Sequence, residues 1–238
     1  MDGVHSEDQW ALVSALSEPQ RRSVYDAVCD QPDPATREQV AQAVGISRAL
    51  AAFHLEKLVE TGLLEASNRS SAGGRVPQIG RPAKRYRRST RQVELSLPPR
   101  QYALAGQILA LALDAADTGE LPADAASRIA HERGRSLGEN ARSPSPAAHA
   151  LPRAAEALAE LGYAPVQHKD HITLSNCPFH DIVQVARHST CQVNLALIAG
   201  ILAGVGGCQQ VTPVLDPQPG QCCVTLLAAS NIQPPKAS

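Results

Sequence analysis

The stretch from Thr36 to Leu64, TREQVAQAVGISRALAAFHLEKLVETGLL, limits what this chain can fold into more than any other. Thr36 followed three residues later by Gln39 is a capping box, so a helix starts there and runs to about Ala43. Gly45 supplies a turn, since a residue without Cβ takes positive φ at little cost, and Ser47 caps a second helix. In that second helix Ala51, Leu55, Leu58 and Val59 recur at helical spacing and face a core. Arg48, Ala52, His54 and Lys57 are left to point elsewhere. Gly62 ends the helix and Leu63–Leu64 begin a strand. Two short helices joined this way place the second in a DNA major groove.

The flanks extend the pattern. Trp10 to Leu16 reads as an opening helix with Trp10 as a packing anchor. Pro19 fits the first turn of a helix reaching Asp30, with Val24, Tyr25 and Val28 on one side and Cys29 in the core. Helices at 19–30, 36–43 and 47–61 followed by a strand at 63–66 give the order of a winged helix-turn-helix domain. Residues 1–65 carry eleven acids and five Lys or Arg, whereas 69–91 carry eight Lys or Arg and no acid. The Ser- and Gly-rich segment 68–80 reads as the tip of a hairpin whose second strand is Arg81-Pro-Ala-Lys-Arg-Tyr-Arg-Arg88. Its cations suit phosphate or minor-groove contact; the competing reading is a solvated basic loop.

At 238 residues the chain is long enough for two domains. Pro98 and Pro99 close the first, at about residue 97. From 98 to 120 a helix carries Tyr102, Ala105, Ile108, Leu109, Ala112 and Leu113 as one apolar stripe. That stripe suits pairing with a second subunit, or packing on its own domain. Residues 121–238 alternate helix and strand: helices at 124–138, 151–161, 179–187 and 193–202, strands at 163–167, 172–175, 211–215 and 223–227. The expected fold class is therefore α+β, a winged helix-turn-helix joined by a long helix to a mixed α/β domain. The N-terminus is acidic with no apolar run, and the longest apolar stretch, Val193–Val205, is too short to span a bilayer. A cytoplasmic protein is expected.

Five of the six cysteines fall in the last quarter: Cys177, Cys191, Cys208, Cys222 and Cys223. Collected in one cytosolic domain, soft thiolates suit zinc or an iron–sulfur cluster better than a disulfide framework. Asn176-Cys-Pro-Phe-His180 stands where a strand yields to a helix, with Pro178 fixing the backbone after Cys177 and His180 within reach of the same centre. The competing reading is inert core cysteine. If Cys222 and Cys223 share a strand they face opposite ways, so one of the two reaches a given site. His168 and His171 read as surface groups. Cys177 beside His180 imitates a nucleophile and its base, but no third orienting group and no phosphate or dinucleotide loop accompanies them, so an enzyme is not expected.

Taken together, these elements resemble known regulators. Ser47, Ala51, His54-Leu55, Leu58 and Gly62-Leu63, with the wing Gly80-Arg-Pro-Ala-Lys-Arg-Tyr86, are similar to the winged helix-turn-helix of the arsenic-repressor-like superfamily of bacterial regulators. Asn176-Cys-Pro178, Val185-Ala186, His188, Cys191, Cys208 and Cys222 resemble the sensory domain of the iron–sulfur-dependent repressors of cluster-assembly operons. The elements NCPFH and DPQPGQCCV are also similar to those of a group of regulators whose bound species is open: cluster, zinc or no metal. The resemblance implies a homodimeric repressor binding a double-stranded operator, with metal on Cys177, Cys191, Cys208 and Cys222 and with His180 nearby. DNA contact is expected from Ser47, Arg48, Ala52, His54, Lys57, Arg81, Lys84, Arg85 and Arg87. The alternative is a regulator that senses a small organic ligand or protein partner in a pocket around Gly200–Gly207, with structural cysteines.

Overall fold

The computed structural model describes residues 7–68, 83–117, 119–141, 150–206 and 211–228. The chain divides into two compact units, one spanning His5–Leu95 and one from Ser96 onward.

The first unit opens with α1 (Glu7–Ser17) and α2 (Pro19–Cys29), followed by β1 (Ala35–Thr36), α3 (Arg37–Val44) and α4 (Arg48–Glu60). Strands β2 (Leu64–Ser67) and β3 (Arg85–Arg88) complete it. The caps form as their residue types require. Thr36 Oγ1 accepts from Gln39 N at 3.3 Å while Gln39 Oε1 accepts from Thr36 N at 2.8 Å. Gly45 sits at φ 73°, and Ser47 Oγ accepts from Leu50 N at 3.2 Å. Each such cap is worth about 1 kcal/mol. Val24, Val28, Val40, Leu55, Leu58, Leu63 and Leu64 make the core. The two wing strands pair as expected, the second over Arg85–Arg88 of the expected 81–88, and the hairpin tip from 69 on lies outside the described residues; in addition β1 pairs with β3, giving an antiparallel sheet of order β1-β3-β2. Two expectations fail. Trp10 is 45% exposed and anchors no core, because Leu12 and Ala15 supply the buried face of α1. Cys29, at the end of α2, is exposed.

The second unit contains α5 (Tyr102–Ala116), α6 (Pro122–Asn140), α7 (Ala150–Glu160), α8 (His180–Val185) and α9 (Arg187–Val205). Strands β4 (Pro165–Gln167), β5 (His171–Leu174), β6 (Val211–Leu215) and β7 (Val224–Ala228) form one antiparallel sheet of order β4-β5-β7-β6. Helix α9 begins six residues earlier than the expected 193 and runs three past 202, and it is the core helix of the unit. Its 19 residues have the length and hydropathy of a membrane span, but Ile198 and Ile201 are fully buried in the domain. It packs backbone to backbone on α6. A Cβ at Gly134 or Gly138 would stand 2.1 or 2.2 Å from the carbonyl oxygens of Leu197 and Ile201. A Cβ at Gly200 or Gly204 would meet those of His131 and Arg135 at 2.0 and 2.1 Å. These glycines are therefore consumed by helix packing, and the pocket expected around Gly200–Gly207 is not formed by them.

Helix α5 belongs to this unit. Ala105, Ile108 and Ala112 are buried in its core, whereas Leu109, Leu111 and Leu113 stay exposed. The expected single stripe is thus split, one half covered and one half open.

Candidate DNA-reading face and candidate thiol site

In the first unit α4 presents Arg48, Phe53 and Lys57 to solvent and Ala52 partly so. Ser47 is exposed at the head of the same helix. Phe53, passed over in the sequence, is 53% exposed, an uncommon state for an aromatic ring. A ring left open on a recognition helix suits contact with thymine methyls. Its signal was present: position 53 falls outside the Ala51-Leu55-Leu58 core repeat.

His54 is a correction. Its side chain is buried, with 4% of the residue exposed, so it cannot reach a phosphate. Nδ1 lies 3.7 Å from Glu18 Oε2, and neither ring nitrogen has a hydrogen bond. Glu18 is itself occupied as the α2 cap: desolvation would raise its carboxyl, but the N–H groups of Arg21 and Gln20 outweigh that and hold it low.

Of the described wing cations, Lys84, Arg85 and Arg87 are tied to the protein. Lys84 Nζ lies 2.7 Å from Glu56 Oε1 and Oε2, and Tyr86 Oη donates to Glu56 Oε1 at 2.8 Å. The Lys84 hydrogen bond, helped by that of Tyr86, holds the Glu56 carboxyl below the usual carboxylate range. Burial, and then the Glu56 carboxylate, push the Tyr86 phenol up. Arg85 Nη1 donates to Pro34 O at 3.0 Å, and Arg87 pairs with Glu65 at 2.6 Å. On α4, Lys57 pairs with Glu60 at 2.7 Å. The basic run is therefore part neutralised by acids of α4 and β2, a pairing that a count along the sequence cannot reveal. Arg81 lies outside the described residues.

In the second unit, four thiols lie within one hydrophobic core. Cys177, Cys191, Cys222 and Cys223 are all buried and free. Cys222 interacts electrostatically with Cys177 and Cys223, as Cys223 does with Cys191. The Cys222 hydrogen bond, aided by the Phe179 N–H, lowers the Cys177 thiol. Hydrogen bonding from Cys222, then from Cys191 and Asn194, lowers Cys223 to about 6. The neighbouring Cys177, then Cys223, together with burial, push the Cys222 thiol far up. Burial, then Cys223, raises Cys191 to about 12.

Polar side chains hold this group in place. Tyr163 Oη donates to Asn194 Oδ1 at 2.6 Å, and Asn194 Nδ2 donates to Cys222 Sγ at 3.2 Å. Burial first, and then Cys222, Cys177 and Cys223, push the Tyr163 phenol up. The Cys177 turn is pinned by Arg100, whose Nη1 donates to Asn176 Oδ1 at 2.6 Å and to Cys177 O at 3.2 Å. Asn176 Nδ2 donates to the carbonyls of Pro99 and Gly162. The motif Asn176-Cys-Pro is thus a clamp, and Arg100, Tyr163 and Asn194 are the members the sequence did not single out. Asn194 alone left a trace there, as the one amide in an apolar run.

Cys222 and Cys223 both precede β7, so strand alternation does not separate them, and both join the group. His180 is exposed at the head of α8, where it lines a cavity of about 340 Å³ together with Cys177 and Cys223. Cys208 lies outside the described residues. Among the described residues no three His, Cys, Asp or Glu side chains converge as a metal site. The donor set of buried thiols suits a soft metal in its chemistry.

Residues 16–66 match a known family, described as a helix-turn-helix domain. No curated protein and no solved structure matches the chain. With α2, α3, α4 and the β1-β3-β2 sheet in place, the first unit is a winged helix-turn-helix domain, and the chain is a DNA-binding transcriptional regulator.

Proposed function

We propose that this regulator binds a two-fold operator as a homodimer, in the cytoplasm, and that its C-terminal cysteines set its DNA affinity by holding a metal ion or iron–sulfur cluster. In this reading Arg48, Ala52 and Phe53 meet base edges in the major groove. Ser47, Lys57 and the wing residues Arg81, Lys84, Arg85 and Arg87 meet phosphates, the paired ones after leaving their acids. Exposed Leu111 and Leu113 on α5 give a second copy apolar surface to cover. The chain acts by binding and not by turnover.

The observation that supports the regulatory half is that Cys177, Cys191, Cys222 and Cys223 are all free and buried in the core of one unit. Cys177, Cys191 and Cys222, with Cys208, would be the ligands. Bound there, a cluster supplies a centre that oxygen or iron shortage can remove, and zinc supplies a structural clip. Asn194 and the Asn176–Arg100 clamp orient the sulfurs, as outer-shell partners do. The reading is tested by iron, zinc and acid-labile sulfide content, with a visible spectrum, on protein purified without oxygen. Iron and sulfide in near-equal amounts, or stoichiometric zinc, is the expected result. Metal-free protein whose DNA affinity ignores Cys177→Ser would end it.

A further inference from the structure

A second cavity lies on the other side of the Cys177–α8 segment from the one lined by Cys177 and Cys223. It measures about 570 Å³ and is walled by four elements of the second unit. Leu109 of α5, Ala126 of α6, Phe179 and Ile182 around α8, and Val193 of α9 supply apolar surface. Polar groups are few and grouped at helix starts, with Asp124 and Ser127 on α6 and His188 and Thr190 on α9. An apolar hollow with a small number of polar groups, within the range of about 300–1,000 Å³, is the usual form of a small-molecule site.

We infer that this cavity binds a small organic molecule, an aromatic or short aliphatic body bearing one hydrogen-bonding group. The inference goes beyond the thiol reading and does not depend on it. Leu109 stands at the mouth 47% exposed, so an occupant would remove from water a large side chain that the fold leaves wet. The concavity argues for a molecule of this size: four elements enclose it, whereas the neighbouring Leu113 stands outside it. Phe179 links the cavity to the thiols. It lines the cavity and stands two residues from Cys177 in the same turn. A ligand that shifts Phe179 therefore alters the setting of Cys177, which gives the regulator a second input.

The test uses the full chain and N-phenyl-1-naphthylamine, an uncharged aromatic probe with one N–H, followed by fluorescence. Saturable binding of one probe per chain is expected, with a blue-shifted, enhanced emission. Ala123→Trp, at the exposed rim, and Leu109→Glu, at the mouth, should each weaken it at least tenfold without lowering the melting temperature. Leu113→Glu should leave it as in the wild type, and because the probe reports this cavity whatever metal the protein holds, loss of the thiol reading and loss of this one are distinguishable. Non-saturating binding, or wild-type affinity in the two cavity variants, would overturn the inference. So would an equal loss in Leu113→Glu, which would mark the face as one covered by a second copy.

Discussion

Asn194 and Cys222 are joined by an Nδ2–Sγ hydrogen bond of 3.2 Å within a fully buried part of the second unit. An amide in the core helix costs several kcal/mol when unpaired, so its place among Leu197, Ile198 and Ile201 requires partners. It has them: Tyr163 Oη on its oxygen and Cys222 on its nitrogen. The prediction is asymmetric. Asn194→Leu strands the Tyr163 hydroxyl and should cost about 2 kcal/mol or more in urea unfolding. Adding Tyr163→Phe should recover part of that loss, since both polar partners are then gone.

The four thiols predict an order of alkylation in protein stripped of metal. Cys223, with its thiol lowered to about 6, is mostly thiolate at pH 7, and Cys177 is shifted the same way. Both line the open cavity. Their reaction with iodoacetamide should level off near neutral pH, as thiolate fraction saturates above the pKa. Cys191, raised to about 12, should still be accelerating at pH 10. Peptide mapping after timed alkylation reads the order directly.

On the DNA-reading face, Glu65 and Glu56 compete with phosphate for Arg87 and Lys84. Glu65→Gln should therefore tighten binding to any duplex several-fold at low salt. Arg87→Gln should weaken it uniformly across sequences and lower the slope of log affinity against log salt by about one. Arg48→Ala and Phe53→Ala should instead relax sequence preference, each costing about 1–3 kcal/mol on the best site. Anisotropy titrations on several duplexes separate the two classes.

His54 predicts the opposite of a contact residue. With both ring nitrogens unpartnered in the core, His54→Leu should be neutral or stabilising in thermal melts and should leave DNA affinity within twofold. A tenfold loss of affinity with an intact fold would return His54 to the DNA face.

The α6–α9 seam should tolerate no side chain. Gly200→Val places carbon against the His131 carbonyl and should destabilise the second unit by about 3 kcal/mol or more, with the helix-turn-helix melting unchanged.

The first unit was legible in the sequence because its signals are local. Thr36–Gln39, Gly45, Ser47 and the Ala51-Leu55-Leu58 repeat each act within one or two turns, and β2 and β3 follow from them. β1 was missed because two residues carry no period. His54 was misplaced because a polar residue next to a core position reads as solvent-facing, and only tertiary packing against Glu18 covers it. The second unit was legible as elements but not as a site. That Cys222 and Cys223 reach the same group depends on β7 starting one residue later than expected, at Val224. The glycines at 200 and 204 read as ligand approach because their partners, Gly134 and Gly138, lie more than 60 residues away.

The central claim is that one unit reads DNA and the thiols of the other govern it. It is tested most directly by duplex affinity of anaerobically purified protein, measured before and after metal removal. A change of at least tenfold in wild type, absent in Cys177→Ser, is the predicted result. Equal affinity in both states and in the variant would contradict the account.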